Sequence, residues 1–142
     1  PLGNQVEWKG YLSPQETLKY FSKSHIAVIP SLWEEPFGRT ALEAMAHKCS
    51  TINSRHGGLQ EVTGDATLSL DIITPETLHA ALKKLILDKA YRQEIALHGY
   101  QRAFKFSIGS IVEHLDFLRS GYLLKTIKES NPSSEEFDSY RV

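Results

Sequence analysis

The sequence predicts an α/β fold in which a mostly parallel sheet lies between two layers of helices. Three observations support this prediction. Short strand-like apolar runs alternate with segments whose apolar residues recur at helical spacing. Residues 26–29 are apolar throughout and are stopped by Pro30, which is typical of a parallel strand buried on both faces. From Pro75 the pattern is helical only, so a helical C-terminal segment follows the α/β part.

The first elements have clear start signals. Residues 6–11 alternate in polarity and end at a glycine-containing turn, so they predict a short strand. Ser13 is an N-cap residue, Pro14 suits the first turn, and Glu16 completes a capping box, which predicts a helix to about residue 22. The apolar strand over residues 26–29 comes next.

The middle of the chain alternates between loops, helices and strands. The predicted elements are a loop over residues 30–38, a helix over 39–47, a strand over 50–53, a loop over 55–58, a short helix over 59–62 and a strand over 67–70. About four strands result, connected by helices, which indicates a parallel sheet. A three-layer domain usually has more strands before its first helix pair, so we expect an N-terminally incomplete domain.

The C-terminal part is predicted to be helical. Thr74 caps a helix that has Pro75 at its first position, a second helix spans about residues 91–104, and Ser107 caps a third. Beyond Lys128 no apolar period is present. We therefore expect one domain over residues 1–128 and a flexible tail over residues 129–142.

Composition and charge exclude several functional classes. The chain has 142 residues, enough for one domain with a core, and its formal net charge of −1 gives no field that attracts nucleic acid. No apolar run approaches the about 20 residues that span a bilayer, and no signal-peptide pattern opens the chain. The single cysteine, Cys49, favours a reducing, cytoplasmic setting.

Candidate ligand-binding loops follow from the predicted sheet. Open parallel sheets bind ligands beyond the carboxyl ends of their strands. Three glycine-bearing loops lie there, over residues 10–13, 30–38 and 54–58. We therefore expect a site where these loops meet.

The loop that enters the second helix has the most informative chemistry. The free amides and positive dipole end of a helix start favour a phosphate, and Gly38 allows close approach of the backbone. Glu35 is an acceptor suited to sugar hydroxyls, and Glu43 lies eight positions later, about 12 Å along a helix. Two carboxylates so placed suit the two ends of a nucleoside diphosphate sugar. The alternative is that Glu is simply a good helix former at both positions.

Three segments resemble the donor-site signature of glycosyltransferase family 4. They read IAVIPS at residues 26–31, EPFG at 35–38 and LEAMA at 42–46, and the signature is a Glu, seven residues and a Glu after a strand that ends in Pro-Ser. Residues 57–62, residues 6–10 and the pair at 106–107 look like neighbouring segments of the same family. The resemblance covers roughly residues 5–125.

The resemblance implies a retaining hexosyltransferase of GT-B architecture, with two Rossmann-like domains and the active site between them. The chain would be the C-terminal, donor-binding half, a partial Rossmann-like three-layer sheet. It implies a nucleotide-sugar donor as substrate, no cofactor and no metal. Its partner would be an N-terminal acceptor-binding domain, and the full enzyme would be able to associate peripherally with a membrane.

The resemblance also implies which residues bind the donor. Glu35 would be the catalytic residue, in contact with the donor sugar, and Glu43 would accept hydrogen bonds from the ribose. The complete donor-binding set is Tyr11, Leu12, Glu35, Pro36, Phe37, Gly38, Arg39, Thr40, Glu43, Gly57 and Gly58.

Departures from the family pattern have consequences. An upstream strand, helix and strand are absent, together with an Arg and Lys pair that stabilises the diphosphate. Lys48 stands where glycine is usual, which predicts a strained or altered turn. We therefore expect this chain alone to be inactive. Two other readings stay open: a non-catalytic α/β interaction module derived from such an enzyme, and another sugar-phosphate enzyme on the same fold.

A few further residues have two interpretations. His56 is beside the paired glycines and either faces the donor or lies on the surface. Arg39 and Arg55 either supply charge to the phosphates or point to water. Trp33 either lines the sugar pocket or packs against the next helix. Cys49 is expected to be a small buried residue rather than a nucleophile.

Overall fold

A computed structural model describes residues 3–130, with side chains described through residue 122. Its elements, in chain order, are a 3-10 turn over Gly3–Gln5, α1 over Pro14–Phe21, β1 over Ile26–Ile29, α2 over Arg39–Ala46, β2 over Ser50–Ser54, α3 over Gly58–Thr63, β3 over Leu68–Leu70, α4 over Pro75–Leu87, α5 over Lys89–Phe104 and α6 over Ile108–Ser130. The chain divides after Phe104 into two compact units, so α6 belongs to the second unit.

The three strands of the first unit form one parallel sheet in the order β1-β2-β3. Ile29 at the end of β1 pairs with Asn53, and Asn53 in turn pairs with Ser69 of β3. The prediction of a parallel sheet is confirmed. Since neighbouring parallel strands end at the same edge, the loops that follow β1 and β2 leave the sheet side by side.

Each face of the sheet is covered by its own apolar cluster, because successive strand residues point to opposite faces. One cluster joins β1 to the helices that precede β3, and it comprises Ala27, Ile29, Ala41, Ala44, Cys49 and Leu59 with Phe21 packed against it. The other joins the sheet to α4 and α5, and it comprises Ile52, Ala81, Leu85 and Ile95 with Ile26, Val28, Leu68, Leu70, Leu78, Leu82 and Tyr91. This arrangement confirms the predicted three layers.

The predicted strand over residues 6–11 is wrong, and the described sheet has three strands instead of about four. Val6, Trp8 and Tyr11 are 60%, 91% and 96% exposed. A strand is stabilised by hydrogen bonds to a neighbour, and within residues 3–130 no strand lies beside this segment. Alternating polarity is therefore not sufficient to predict a strand in this segment.

The helix starts follow the predicted capping signals. The Ser13 hydroxyl accepts a 3.4 Å bond from the Glu16 amide, and the Glu16 carboxylate accepts a 2.8 Å bond from the Ser13 amide. Thr74 caps α4 in the same way, and the Ser107 hydroxyl accepts from the amide at position 110. Helix α5 begins at Lys89, two residues before the predicted start, because the Asp88 carboxylate caps it.

The turn after α2 has the strain that was one of the two outcomes predicted at Lys48, and its shape is not altered. Its φ of 60° is the one positive value at a non-glycine residue in the described part of the chain. The Lys48 amide donates to the carbonyl of Met45, and the Cys49 amide donates to that of Ala44. These two bonds form a Schellman motif whose left-handed position is normally glycine.

The C-terminal helix extends slightly beyond the predicted domain boundary. α6 continues to Ser130, so residues 129 and 130 are helical rather than part of a tail. The remainder of the predicted flexible tail, residues 131–142, lies outside the described residues.

Candidate functional site

Two loops meet at the carboxyl edge of the sheet, as the strand order requires. One follows β1 and contains Glu35, and the other follows β2 and leads into α3. The Gly58 amide donates a 2.6 Å hydrogen bond to the carbonyl of Glu35. The two predicted site segments, residues 35–38 and 57–58, are therefore in direct contact.

Two predicted site glycines, Gly57 and Gly58, are required by this contact, and Gly38 packs closely on the side chain that follows them. A Cβ on Gly57 would lie 2.5 Å from the carbonyl oxygen of Glu35, and one on Gly58 would lie 2.7 Å from that of Pro36. A Cβ on Gly38 would lie 2.8 Å from Cδ2 of Leu59. The absence of side chains at Gly57 and Gly58 allows the two backbones to touch, so these two glycines determine where the Glu35 loop is held.

The carboxylate of Glu35 is oriented by its own loop. Its Oε1 atom accepts a 2.7 Å bond from the Ser31 hydroxyl and a 2.9 Å bond from the Trp33 indole N–H. Trp33 is 65% exposed, so it does not pack into a helix interface as one interpretation expected. Sequence reasoning missed this pair of donors, although all three residues lie within five positions of one loop.

The start of α2 lacks a side-chain cap. Gly38 occupies the N-cap position in the left-handed region, with φ 89°, and offers no capping atom. Next to it, Arg39 Nε donates a 2.7 Å bond to Glu43 Oε1. The side chain of Arg39 is 77% exposed and that of Glu43 is 25% exposed. The first turn of α2 thus presents uncapped amides beside a guanidinium, an arrangement suited to an anion.

A cavity of about 270 Å³ joins α2 to the segment before α1. It is lined by Tyr11, Leu12, Pro14, Thr17, Arg39, Thr40 and Glu43. Five of these are predicted donor-binding residues, whereas Pro14 and Thr17 were missed. The three-residue spacing of these two on α1 is the available sequence signal, because it places both on one helix face. The other predicted site residues do not line this cavity.

A second cavity, of about 340 Å³, lies along α1 and shares only Leu12 with the first. Its remaining lining residues are Glu16, Lys19, Tyr20 and Lys23. None of them follows a strand, so the smaller cavity is the better candidate despite its size.

The basic residues near the loops have acidic neighbours. Arg55 Nε lies 3.6 Å from Asp71 Oδ1, and His56 Nδ1 lies 3.7 Å from Glu34 Oε1. His56 therefore lies beside the loop that contains Glu35. Both contacts are solvent-exposed, where such contacts contribute little to stability.

Cys49 is buried, as predicted. Its Sγ–H donates to the carbonyls of Phe21 and Ser24, and burial raises the pKa of the thiol. Among the described residues, no group of three or more His, Cys, Asp or Glu is arranged to hold a metal. The helices described within residues 3–130 include none with the length and apolar character to cross a bilayer.

Comparison with known proteins places this chain in a family. The family described as "Glycosyl transferases group 1" matches residues 1–102. A D-inositol 3-phosphate glycosyltransferase of Corynebacterium diphtheriae is 28% identical over 81% of this chain and 27% of its own length. An MMP alpha-(1->4)-mannosyltransferase of Mycolicibacterium hassiacum is 30% identical over 72% of this chain and 25% of its own length.

Comparison with solved structures agrees with these sequence matches. The sucrose-phosphate synthase of Thermosynechococcus elongatus superimposes with a TM-score of 0.71 at 27% identity, over 87% of this chain and 32% of that chain. The chain thus spans about a quarter to a third of the proteins that it matches. Its α/β fold is that of one part of a GT-B glycosyltransferase. On these matches, the chain belongs to the group 1 family of glycosyl transferases.

Proposed function

We propose that this chain is part of the donor-binding half of a retaining hexosyltransferase and takes a nucleoside diphosphate sugar. In this proposal an N-terminal acceptor-binding domain completes the enzyme, no metal is bound, and the reaction takes place in the cytoplasm. The observation that carries the proposal is the cavity beside α2, where Glu43, Arg39 and Thr40 face Tyr11 and Leu12.

The ribose is assigned to Glu43. Its carboxylate is an acceptor for hydroxyl donors, and it lines a cavity that also contains the aromatic ring of Tyr11. Oε1 is already held by Arg39, which fixes the direction in which the carboxylate faces. The base then lies toward Tyr11 and Leu12, on the side of the cavity formed by the segment before α1.

The diphosphate is assigned to the start of α2. The uncapped amides after Gly38 and the positive end of the helix dipole favour negative charge, and Arg39, which also pairs with Glu43, adds an exposed cation. Charge grows on the diphosphate as it leaves the sugar, so donors fixed at this point lower the barrier to transfer. Arg55 is a second cation within the adjacent loop.

The sugar is assigned to Glu35. Its carboxylate is held before any ligand binds, and along the chain Glu35 precedes the start of α2 whereas Glu43 follows it. An extended donor that has its diphosphate at the helix start therefore places its ribose and its sugar at the two carboxylates. Pro36, Phe37, Gly57 and Gly58 complete the turn against which the sugar rests.

Calorimetry with UDP-glucose, GDP-mannose and ADP-glucose tests the proposal, in this chain and in the protein at its full natural length. At least one of the three is expected to bind. Glu43→Ala should weaken it by about tenfold or more, because hydrogen bonds to a charged group are lost. Glu94→Ala is the matched control, since Glu94 is exposed on α5. The absence of binding by any sugar nucleotide at full length contradicts the proposal.

Two further measurements separate the remaining readings. NMR of the product formed by the full-length protein from a labelled donor reports the anomeric configuration, which should be the same as in the donor. A protein that binds no sugar nucleotide but captures a specific protein partner supports the interaction module instead. A protein that rearranges or phosphorolyses the sugar without transferring it to an acceptor supports the alternative of another sugar-phosphate enzyme on the same fold.

A further inference from the structure

We propose that Trp33, together with Ser31, is a positioning residue for the Glu35 carboxylate. The two side chains donate to the same oxygen, Oε1, at 2.9 and 2.7 Å. That the carboxylate binds a donor sugar rests on the proposed function, whereas the orientation of the carboxylate rests only on these two contacts.

The two oxygens of the Glu35 carboxylate differ in their hydrogen-bond partners. Each carboxylate oxygen has two acceptor directions, and Oε1 already accepts two hydrogen bonds. Within residues 3–122, no hydrogen bond to Oε2 accompanies them. The sugar hydroxyls are therefore left with Oε2, and the loop decides which way that atom points.

The local sequence makes this clamp rigid. Ser31, Trp33 and Glu35 alternate along one loop, which is bounded by Pro30 and Pro36. Proline fixes φ at both ends, and the Gly58 amide anchors the Glu35 carbonyl at 2.6 Å. Glu35 thus has its backbone held from one side and its carboxylate held from the other before the ligand arrives, which lowers the entropic cost of binding.

Trp33 orients the Glu35 carboxylate through its indole N–H donor and not through the packing of its ring. The ring is 65% exposed, so replacing it by Phe removes the donor with little loss of packing. The chain has two tryptophans, and Trp8 is 91% exposed in the segment before α1. Trp8 therefore serves as an internal reference for every measurement made on Trp33.

The first test needs no ligand. The chain is labelled with 15N-tryptophan, and its two indole N–H resonances are assigned with Trp8→Phe and Trp33→Phe. As the pH is lowered until carboxylates protonate, the Trp33 resonance is expected to shift, and Glu35→Gln should abolish that shift. The Trp8 resonance should keep its own pH profile in Glu35→Gln. A Trp33 resonance whose titration is unchanged in Glu35→Gln overturns the clamp.

The second test separates the sugar from the nucleotide. Calorimetry compares UDP-glucose with UDP, GDP-mannose with GDP, and ADP-glucose with ADP. Trp33→Phe and Ser31→Ala should each weaken the sugar nucleotide by about tenfold and change the nucleoside diphosphate by less than about twofold. Ser31→Thr keeps the hydroxyl and should restore tight binding, whereas Trp8→Phe should change neither ligand.

The possible outcomes are distinguishable. If both ligands weaken equally in Trp33→Phe, or if neither changes, the positioning role is wrong while the proposed function stands. If the unaltered chain and the full-length protein bind no sugar nucleotide, the proposed function is wrong, and the indole titration still decides whether the clamp exists.

Discussion

Replacing Gly57 by alanine is expected to be far more damaging than a loop substitution usually is. Gly57 has φ 58° and ψ −138°, a region that residues with a side chain rarely adopt and that costs about 1–3 kcal/mol. The new Cβ would also lie 2.5 and 2.6 Å from the carbonyl oxygen and the amide nitrogen of Glu35. Both are backbone atoms, so one of the two loops must move.

The free energy of unfolding should fall accordingly. Forcing extra atoms into a packed site typically costs about 1–3 kcal/mol, so the total loss is about 2–6 kcal/mol. For a compact unit of about 100 residues, a loss of about 2 kcal/mol, the lower limit of this range, lowers Tm by roughly 8 °C or more. Urea denaturation followed by circular dichroism measures the difference.

Gly10→Ala is the matched control. Gly10 has a similar φ of 61°, but a Cβ there meets no atom within 4 Å. It carries the backbone strain without the clash, so its loss should be about 1–2 kcal/mol or less. Equal losses in the two variants would refute the close contact between the loop after β1 and the loop after β2.

Three other substitutions or treatments have expected outcomes. In urea denaturation, Lys48→Gly should be more stable than Lys48→Ala by about 1 kcal/mol. Both variants lose the contact of the ammonium with the Tyr100 ring, and only glycine relieves the left-handed strain. Equal stabilities would contradict the strained turn. Hydrogen bonds from Ser13 lower the pKa of the Glu16 carboxyl, so its contribution to stability is present at neutral pH and is lost as the pH falls through that lowered value. Glu16→Gln should therefore flatten the fall of stability with acid in urea titrations, and an unchanged slope would show that the capping box does not contribute. Burial raises the pKa of the Cys49 thiol, so a thiol reagent should label the folded chain about a hundredfold or more slower than the chain in urea, and fast labelling would contradict its burial.

The elements that the sequence predicts well are those with local causes. Ser13 and Thr74 each cap a helix through bonds to residues three positions away, so the sequence alone contains the complete interaction. The strand over residues 26–29 has an apolar pattern that only burial on both faces explains. Lys48 was identifiable because a left-handed turn after a helix favours glycine.

What the sequence predicts poorly depends on distant partners. Residues 6–11 have a strand pattern, but whether a strand forms depends on a neighbour that a single segment does not reveal. The paired glycines were predicted as a donor contact, yet the close approach of Gly57 and Gly58 to the loop after β1 appears only when the strands are side by side. The bonds from Ser31 and Trp33 to Glu35 likewise require the loop conformation.

The proposed function depends on the start of α2 as a diphosphate site, and a crystal structure of the protein with a bound nucleoside diphosphate tests that site most directly. We expect phosphate oxygens within hydrogen-bond distance of the amides of Arg39 and Thr40, and ribose hydroxyls on the carboxylate of Glu43. A nucleotide bound elsewhere, with the first turn of α2 facing only water, would contradict the account.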